Sequence, residues 1–229
     1  MAVDAAGERP MILYGHPFSS YTWKAQIAFY EKEVAHEFRA IETEPPFTHY
    51  DELRAHWPVG QFPLIVDDGR PLFEASIIAE YLDQRSDAGP RLVPADPQAA
   101  LEVRFLDRIF DNHFQARFQA AVAEYLPFIT ETPDLARVAR ARDQLEQVYG
   151  WLEARLGDGD WATPYGFTLA DCAAAPALFY ADWVHPIDPA HAKVRAYRAR
   201  LLARPSVARC AEDARPYRSY FPLGAPDRD

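Results

Sequence analysis

MILYGHPFSSYTWKAQIAFY, running from Met11 to Tyr30, joins a short apolar run to an amphipathic one through a hydroxyl-bearing turn. Met11–Tyr14 suits a buried strand, and Gly15-His16-Pro17 breaks it. Apolar residues then recur at Trp23, Ile27, Tyr30 and Val34, which is helical spacing and predicts a helix over Tyr21–Glu33. Ser19 and Ser20 fall where that helix begins. Serine in such a place is first of all an N-cap, because its oxygen satisfies a backbone donor that lacks an intrahelical acceptor. The same point carries partial positive charge and suits an anion: a phosphate, a carboxylate or a thiolate.

Working outward, the first third of the chain alternates strand and helix. His36–Ile41 alternates polar and apolar residues and reads as a second strand, while Thr48–Trp57 is irregular or holds a turn or two of helix. Phe62–Val66 and Arg70–Phe73 flank Asp67-Asp68-Gly69 and predict a hairpin, since Asp-Gly suits a tight turn. Glu74–Gln84 follows as a helix with Ile77, Ile78, Tyr81 and Leu82 on one face. The order β-α-β-α-β-β-α implies an α/β unit with a parallel start and an antiparallel finish.

Beyond Ser86 the composition changes. The stretch from Asp87 to Pro97 is rich in breakers and has no period, so it reads as a linker between residues 10–86 and 98–222. Leu101, Phe105, Ile109, Phe114, Phe118 and Val122 mark one long helix, bent near Asp111-Asn112. Leu135, Val138, Leu145, Val148, Leu152 and Leu156 mark another. Phe167-Thr168-Leu169-Ala170-Asp171 carries a capping box in which Thr168 caps and Asp171 reaches back, with Phe167 placed to pack on Cys172. No strand pattern follows Phe73, so the second domain is expected to be all-helical.

Composition narrows the function classes. The chain has 229 residues, 49% hydrophobic and 25% charged, as expected of a globular protein. Its formal net charge of −10 argues against nucleic acid and anionic membranes as partners. No apolar run approaches the ~20 residues that span a bilayer. The first ten residues lack a basic start followed by an apolar stretch, so they read as a short disordered lead and the cytoplasm as the expected location. Cys172 and Cys210 form no C-x-x-C and no Cys/His cluster, which argues against a disulfide framework or a zinc site.

Taken together, residues 11–220 resemble a cytosolic glutathione transferase. SSYTWK at Ser19–Lys24 is similar to the SSCSWR signature of the zeta, maleylacetoacetate isomerase-like class, or to related bacterial serine-type classes. PVGQFPLIVDDG at Pro58–Gly69 is similar to the family's P-x-G-x-V-P segment, and FEASIIAEYL at Phe73–Leu82 to its E-S-x-A-I-x-x-Y-L helix start. FTLAD and the later ARPSV at Ala203–Val207 complete the match in the right order.

The resemblance implies a thioredoxin-like N-terminal domain with a mixed four-stranded sheet and an all-α C-terminal domain. It implies glutathione as co-substrate, no metal, a small hydrophobic electrophile and a homodimer. Ser19 is then the catalytic residue that activates the thiol, with Ser20 as helper and Tyr14 as rival donor. Gln61, Phe62, Pro63, Glu74 and Ala75 hold glutathione, Pro63 through a cis peptide bond that turns the Phe62 backbone to the cysteinyl unit. Ala75 stands where serine is usual and Gln61 where lysine often grips the glycyl carboxylate, so weaker binding is expected. Phe110, His113, Phe114 and Arg117 are candidates for the electrophile pocket, although aromatic residues at helical spacing are more often core. Asp107 and Asp111 at i, i+4 most simply form a solvated face. Alternatives are a glutathione-dependent isomerase or disulfide reductase, and a non-catalytic protein-binding relative.

Overall fold

The computed structural model describes residues 10–42 and 44–229. The expected N-terminal lead lies outside the described residues, apart from Pro10. Strand β1 (Met11–Gly15) is followed by helix α1 (Ser20–Glu31), strand β2 (His36–Ala40) and helix α2 (Thr48–His56). The hairpin β3 (Leu64–Asp67) and β4 (Arg70–Phe73) leads into α3 (Ala75–Arg85). The sheet order is β2-β1-β3-β4, with β1 and β2 parallel and the other pairs antiparallel. This is the thioredoxin-like mixed sheet that the sequence implied.

Local chemistry explains the element ends. Ser19 is extended, and its Oγ accepts the Thr22 N–H at 3.3 Å, so it does cap α1. At the other end Glu33 takes φ 51°, its N–H donating to Tyr30 and the Val34 N–H to Phe29, which is a Schellman stop. The β3–β4 turn places Asp68 and Gly69 at φ 46° and 81°, the left-handed pair that a two-residue hairpin needs. Thr48–Trp57, read from sequence as irregular or as a turn or two of helix, holds a regular helix over Thr48–His56. It buries only Leu53, too little apolar surface to give a helical period.

Successive residues of β1 face opposite sides of the sheet. Leu13 joins the main core with α1 and α3, whereas Tyr14 joins Leu53, Leu64 and Val66 on the α2 side. The breaker-rich segment after α3 is pinned: the buried Asp83 carboxylate accepts the N–H groups of Leu92 and Val93 at 2.9 and 3.1 Å and pairs with Lys32 at 3.0 Å.

The second domain is helical throughout. It comprises α4 (Pro97–Ile109), a π-helical turn (Phe110–Gln115), α5 (Ala116–Ala123), α6 (Leu135–Arg155), α7 (Leu169–Val184), α8 (Ala192–Ala203), α9 (Pro205–Ala214) and a 3-10 turn (Arg215–Tyr220). Every residue of α7 is buried. Asp171 holds its start as expected, accepting the Thr168 N–H at 2.8 Å and also the Tyr197 hydroxyl at 2.6 Å. Phe167 is buried, its ring edge-to-face with Trp161. The Trp23 indole packs on Phe179 of α7, with ring centres 4.8 Å apart, so one core runs through both domains.

The long helix needs two corrections. Its interruption near Asp111-Asn112 is a π-helical turn, which shifts the phase of the following side chains. Its buried face is Ala99, Ala100, Val103, Leu106 and Phe110, while Leu101 and Phe105 are 61% and 46% exposed. The packed side begins with two small alanines, Ala99 and Ala100, so a period drawn from Leu101 and Phe105 starts on the wrong face.

Candidate functional site

A cleft of about 580 Å³ opens between the two domains, beside the first turn of α1. Its first-domain wall contains Gln61, Phe62, Pro63, Glu74 and Ala75, so the structure brings together the residues expected to hold glutathione. The Phe62–Pro63 bond is cis. Glu74 takes φ 72° and ψ 112° at the start of α3, a rare conformation for a residue with a side chain, and such outliers cluster at ligand clamps. Its exposed carboxylate has no ion-pair or hydrogen-bond partner among the described residues.

The α1 start divides its hydroxyls differently from the expectation. Neither serine is among the residues that line the cleft: Ser20 is buried and Ser19 half-buried, two residues before Tyr21 in the chain. The Ser19 hydroxyl hydrogen has no acceptor among the described residues, because its oxygen serves only as the cap. Ser20 and Tyr21, at the first helical positions, have N–H groups without intrahelical acceptors. Tyr21 does line the cleft. Its phenol pKa is pushed up to about 12, chiefly by burial and then by Asp111, so it stays a neutral hydrogen-bond donor.

Tyr14, the rival donor, points the other way. Its hydroxyl donates to Glu52 at 3.1 Å and accepts from Arg39 Nη1 at 2.9 Å on the α2 side of the sheet. Burial raises its pKa, and strand alternation makes it unavailable to the cleft.

The second-domain wall is where sequence reasoning missed most. Phe110 and Phe114 are fully buried and belong to the core, with ring centres 5.3 Å apart. His113 and Arg117 face a separate groove beside Gln144 and Val148. The cleft is instead lined by Arg108, Asp111, Asn112 and Gln119, all polar. The π-helical turn sets which side chains face inward there, and no local motif announces it.

Asp111 and Asp107 do not form a solvated face. Both are buried around the fully buried Lys24 ammonium, which pairs with Asp107 and, at 2.9 Å, with Asp111. Lys24 also donates to Ser76 Oγ at 2.7 Å, and Arg108 reaches Asp111 at 2.6 Å from the cleft side. Two cations and two carboxylates thus balance where α1, α3 and α4 meet. Among the described residues no cluster suits a metal ion, and no helix is long and apolar enough to cross a membrane.

A family model of the glutathione S-transferase N-terminal domain matches residues 13–91, and one of the C-terminal domain matches residues 135–200. Glutathione S-transferase 3 of Zea mays is 30% identical over 203 residues, covering 86% of this chain and 91% of its own. Glutathione S-transferase PARB of Nicotiana tabacum is 26% identical over 199 residues, with 85% and 93% covered. The solved structure of glutathione S-transferase I from maize, in complex with an atrazine glutathione conjugate, matches with a TM-score of 0.76 at 25% identity, covering 91% of this chain and 99% of that one. Sequence, fold and cleft converge: the chain belongs to the glutathione S-transferase family.

Proposed function

We propose that the protein is a glutathione transferase in which Ser19 activates the thiol of bound glutathione for attack on a small electrophile. The observation that carries this reading is the Ser19 hydroxyl, uncommitted as a donor, capping the start of α1, whose first turn lines through Tyr21 a cleft holding Phe62, Pro63 and Glu74. A thiol of this kind has a pKa of ~8.5, and its thiolate is the nucleophile. Lowering that pKa by ~2 units requires ~2.7 kcal/mol of preferential stabilisation. A charge-assisted hydrogen bond of ~1.5–3 kcal/mol together with a helix-end contribution of ~0.3–1 kcal/mol supplies it. Holding thiolate and electrophile side by side then removes the entropy of encounter.

Tyr21 stands where the zeta signature carries cysteine, and the relatives named above are plant transferases. We therefore place the chain among serine-type transferases at large, not with the isomerase-like class. The polar side chains of Asn112 and Gln119 in this wall favour an electrophile with a hydrogen-bonding group over the purely hydrophobic one the resemblance implied. A disulfide reductase would have to take all its sulfur from glutathione, since Cys172 and Cys210 are buried in helices of the second domain. Ile77 on α3 and Leu101 and Phe105 on α4 expose large apolar side chains, which supports the expected homodimer. We assign the protein to the cytoplasm.

Retention on immobilised glutathione and conjugation of a chloronitrobenzene-type electrophile test the reading. Ser19→Ala is expected to bind glutathione and to lose activity ~10²-fold, as for removal of one preorganised donor. Absence of binding by the wild-type protein would favour a non-catalytic, protein-binding role.

A further inference from the structure

Ala75, the buried first residue of α3, has no side-chain group to offer an anion, while the charged residues around it leave one cationic edge open. Arg108 reaches this point from α4. Its Nε donates to Asp107 at 2.9 Å, and its Nη2 donates to Asp111 at 2.6 Å and to Ser76, the neighbour of Ala75. The Nη1 edge has no partner among the described residues, and the side chain is about half exposed, lining the same cleft as Glu74 and Ala75.

We propose that Arg108 binds the α-carboxylate of the γ-glutamyl residue of glutathione, supplying from the second domain the anchor that the Ala75 side chain lacks. The inference rests on the reading of the cleft as a glutathione site. The γ-glutamyl end carries an ammonium and a carboxylate on one carbon. Glu74, unpartnered and exposed, meets the ammonium. The Nη1 edge of Arg108 and the Ala75 N–H, which has no intrahelical acceptor, meet the carboxylate.

Lys24 is what leaves the guanidinium usable. It satisfies Asp107 and Asp111 from the buried side, so Arg108 is oriented by these carboxylates while keeping one edge for a ligand. The guanidinium is ordered in advance, which removes part of the entropy cost of binding. Specificity follows: the site reads the complete zwitterion, and the second domain takes part in co-substrate recognition as well as in forming the opposite wall.

The test uses S-methylglutathione, which needs no thiol activation, and its analogue lacking the γ-glutamyl α-carboxylate, both titrated calorimetrically. The wild-type protein is expected to bind the analogue ~10- to 100-fold more weakly, the range of one hydrogen-bonded charge pair. Arg108→Gln is expected to bind S-methylglutathione that much more weakly and to lose most of the discrimination between the two ligands, keeping only what the Ala75 N–H supplies. Adding Ala75→Ser to Arg108→Gln is expected to restore part of both affinity and discrimination. The double variant Arg108→Gln, Asp111→Asn keeps the buried cluster neutral and is expected to behave like Arg108→Gln, should the single variant fold poorly. Full discrimination retained in these variants would overturn the proposal, leaving Arg108 a structural member of the ion cluster. Wild-type binding of neither ligand would overturn the glutathione reading itself, and the inference with it.

Discussion

The Tyr180 hydroxyl, on the central helix of the second domain, donates a 2.9 Å hydrogen bond to the carbonyl of Phe18, the residue immediately before Ser19. The Trp23 indole N–H bonds the Pro17 carbonyl at 2.6 Å, so the turn that delivers Ser19 is tied on consecutive carbonyls. The Phe18 ring in turn packs edge-to-face on Tyr180, with centres 5.4 Å apart. The geometry of the proposed nucleophile-activating residue is therefore set partly by the other domain.

Removing that tie should loosen the turn without touching the cleft. Tyr180→Phe keeps the ring packing but leaves the Phe18 carbonyl unpaired, a loss of ~1–3 kcal/mol in a buried setting. The expected result is a lower kcat with KM for glutathione largely kept, and a modestly lower urea midpoint.

The buried ion cluster should be costly to break from the inside. Lys24→Met leaves Asp107 and Asp111 with only the half-exposed Arg108 as counter-charge. Removing one partner of a buried pair destabilises by ~3–5 kcal/mol. Denaturant unfolding at neutral pH checks this, and adding Asp111→Asn to Lys24→Met should recover part of the loss.

Acidification should weaken the same turn through His16. The Phe18 N–H donates to His16 Nδ1 at 3.1 Å, which requires an unprotonated nitrogen, and the ring packs against Tyr217 with centres 4.7 Å apart. Burial lowers its pKa from the usual 6.5. The unfolded chain thus takes up the proton first. The contribution of the neutral ring is complete above pH 6.5 and is lost as pH falls from there toward the folded-state value. A plot of unfolding free energy against pH should fall below about pH 6.5 in the wild type and less steeply in His16→Phe.

Tyr21 should not contribute an ionisation to the pH–rate profile. With its pKa pushed up to about 12, it remains protonated across the range in which a glutathione thiol titrates. Tyr21→Phe should leave the position of the acid limb of kcat/KM unchanged, although the rate itself can alter.

Much of this architecture was legible in the sequence because local chemistry enforces it. Ser19 at a helix start, Asp68-Gly69 in a hairpin and Thr168 with Asp171 at the α7 start are all signals confined to a few residues. The first-domain wall was equally accessible, since Phe62, Pro63, Glu74 and Ala75 lie in contiguous motifs. The second-domain wall was not. It depends on the phase of a helix whose packed side begins with Ala99 and Ala100, and on the π-helical turn at Phe110–Gln115 that turns Asp111 and Asn112 inward. The pairing of Lys24 with Asp107 and Asp111 joins residues far apart in the chain, and only the interdomain packing brings them together.

The most direct measurement is the ultraviolet absorbance of the glutathione thiolate, titrated against pH in complexes with the wild-type protein and Ser19→Ala. The expected result is a bound-thiol pKa ~2 units below the free value of ~8.5 in the wild type, returning most of the way in Ser19→Ala. Identical titration curves in the two complexes would contradict it, because the Ser19 hydroxyl would then have no part in holding the sulfur anion.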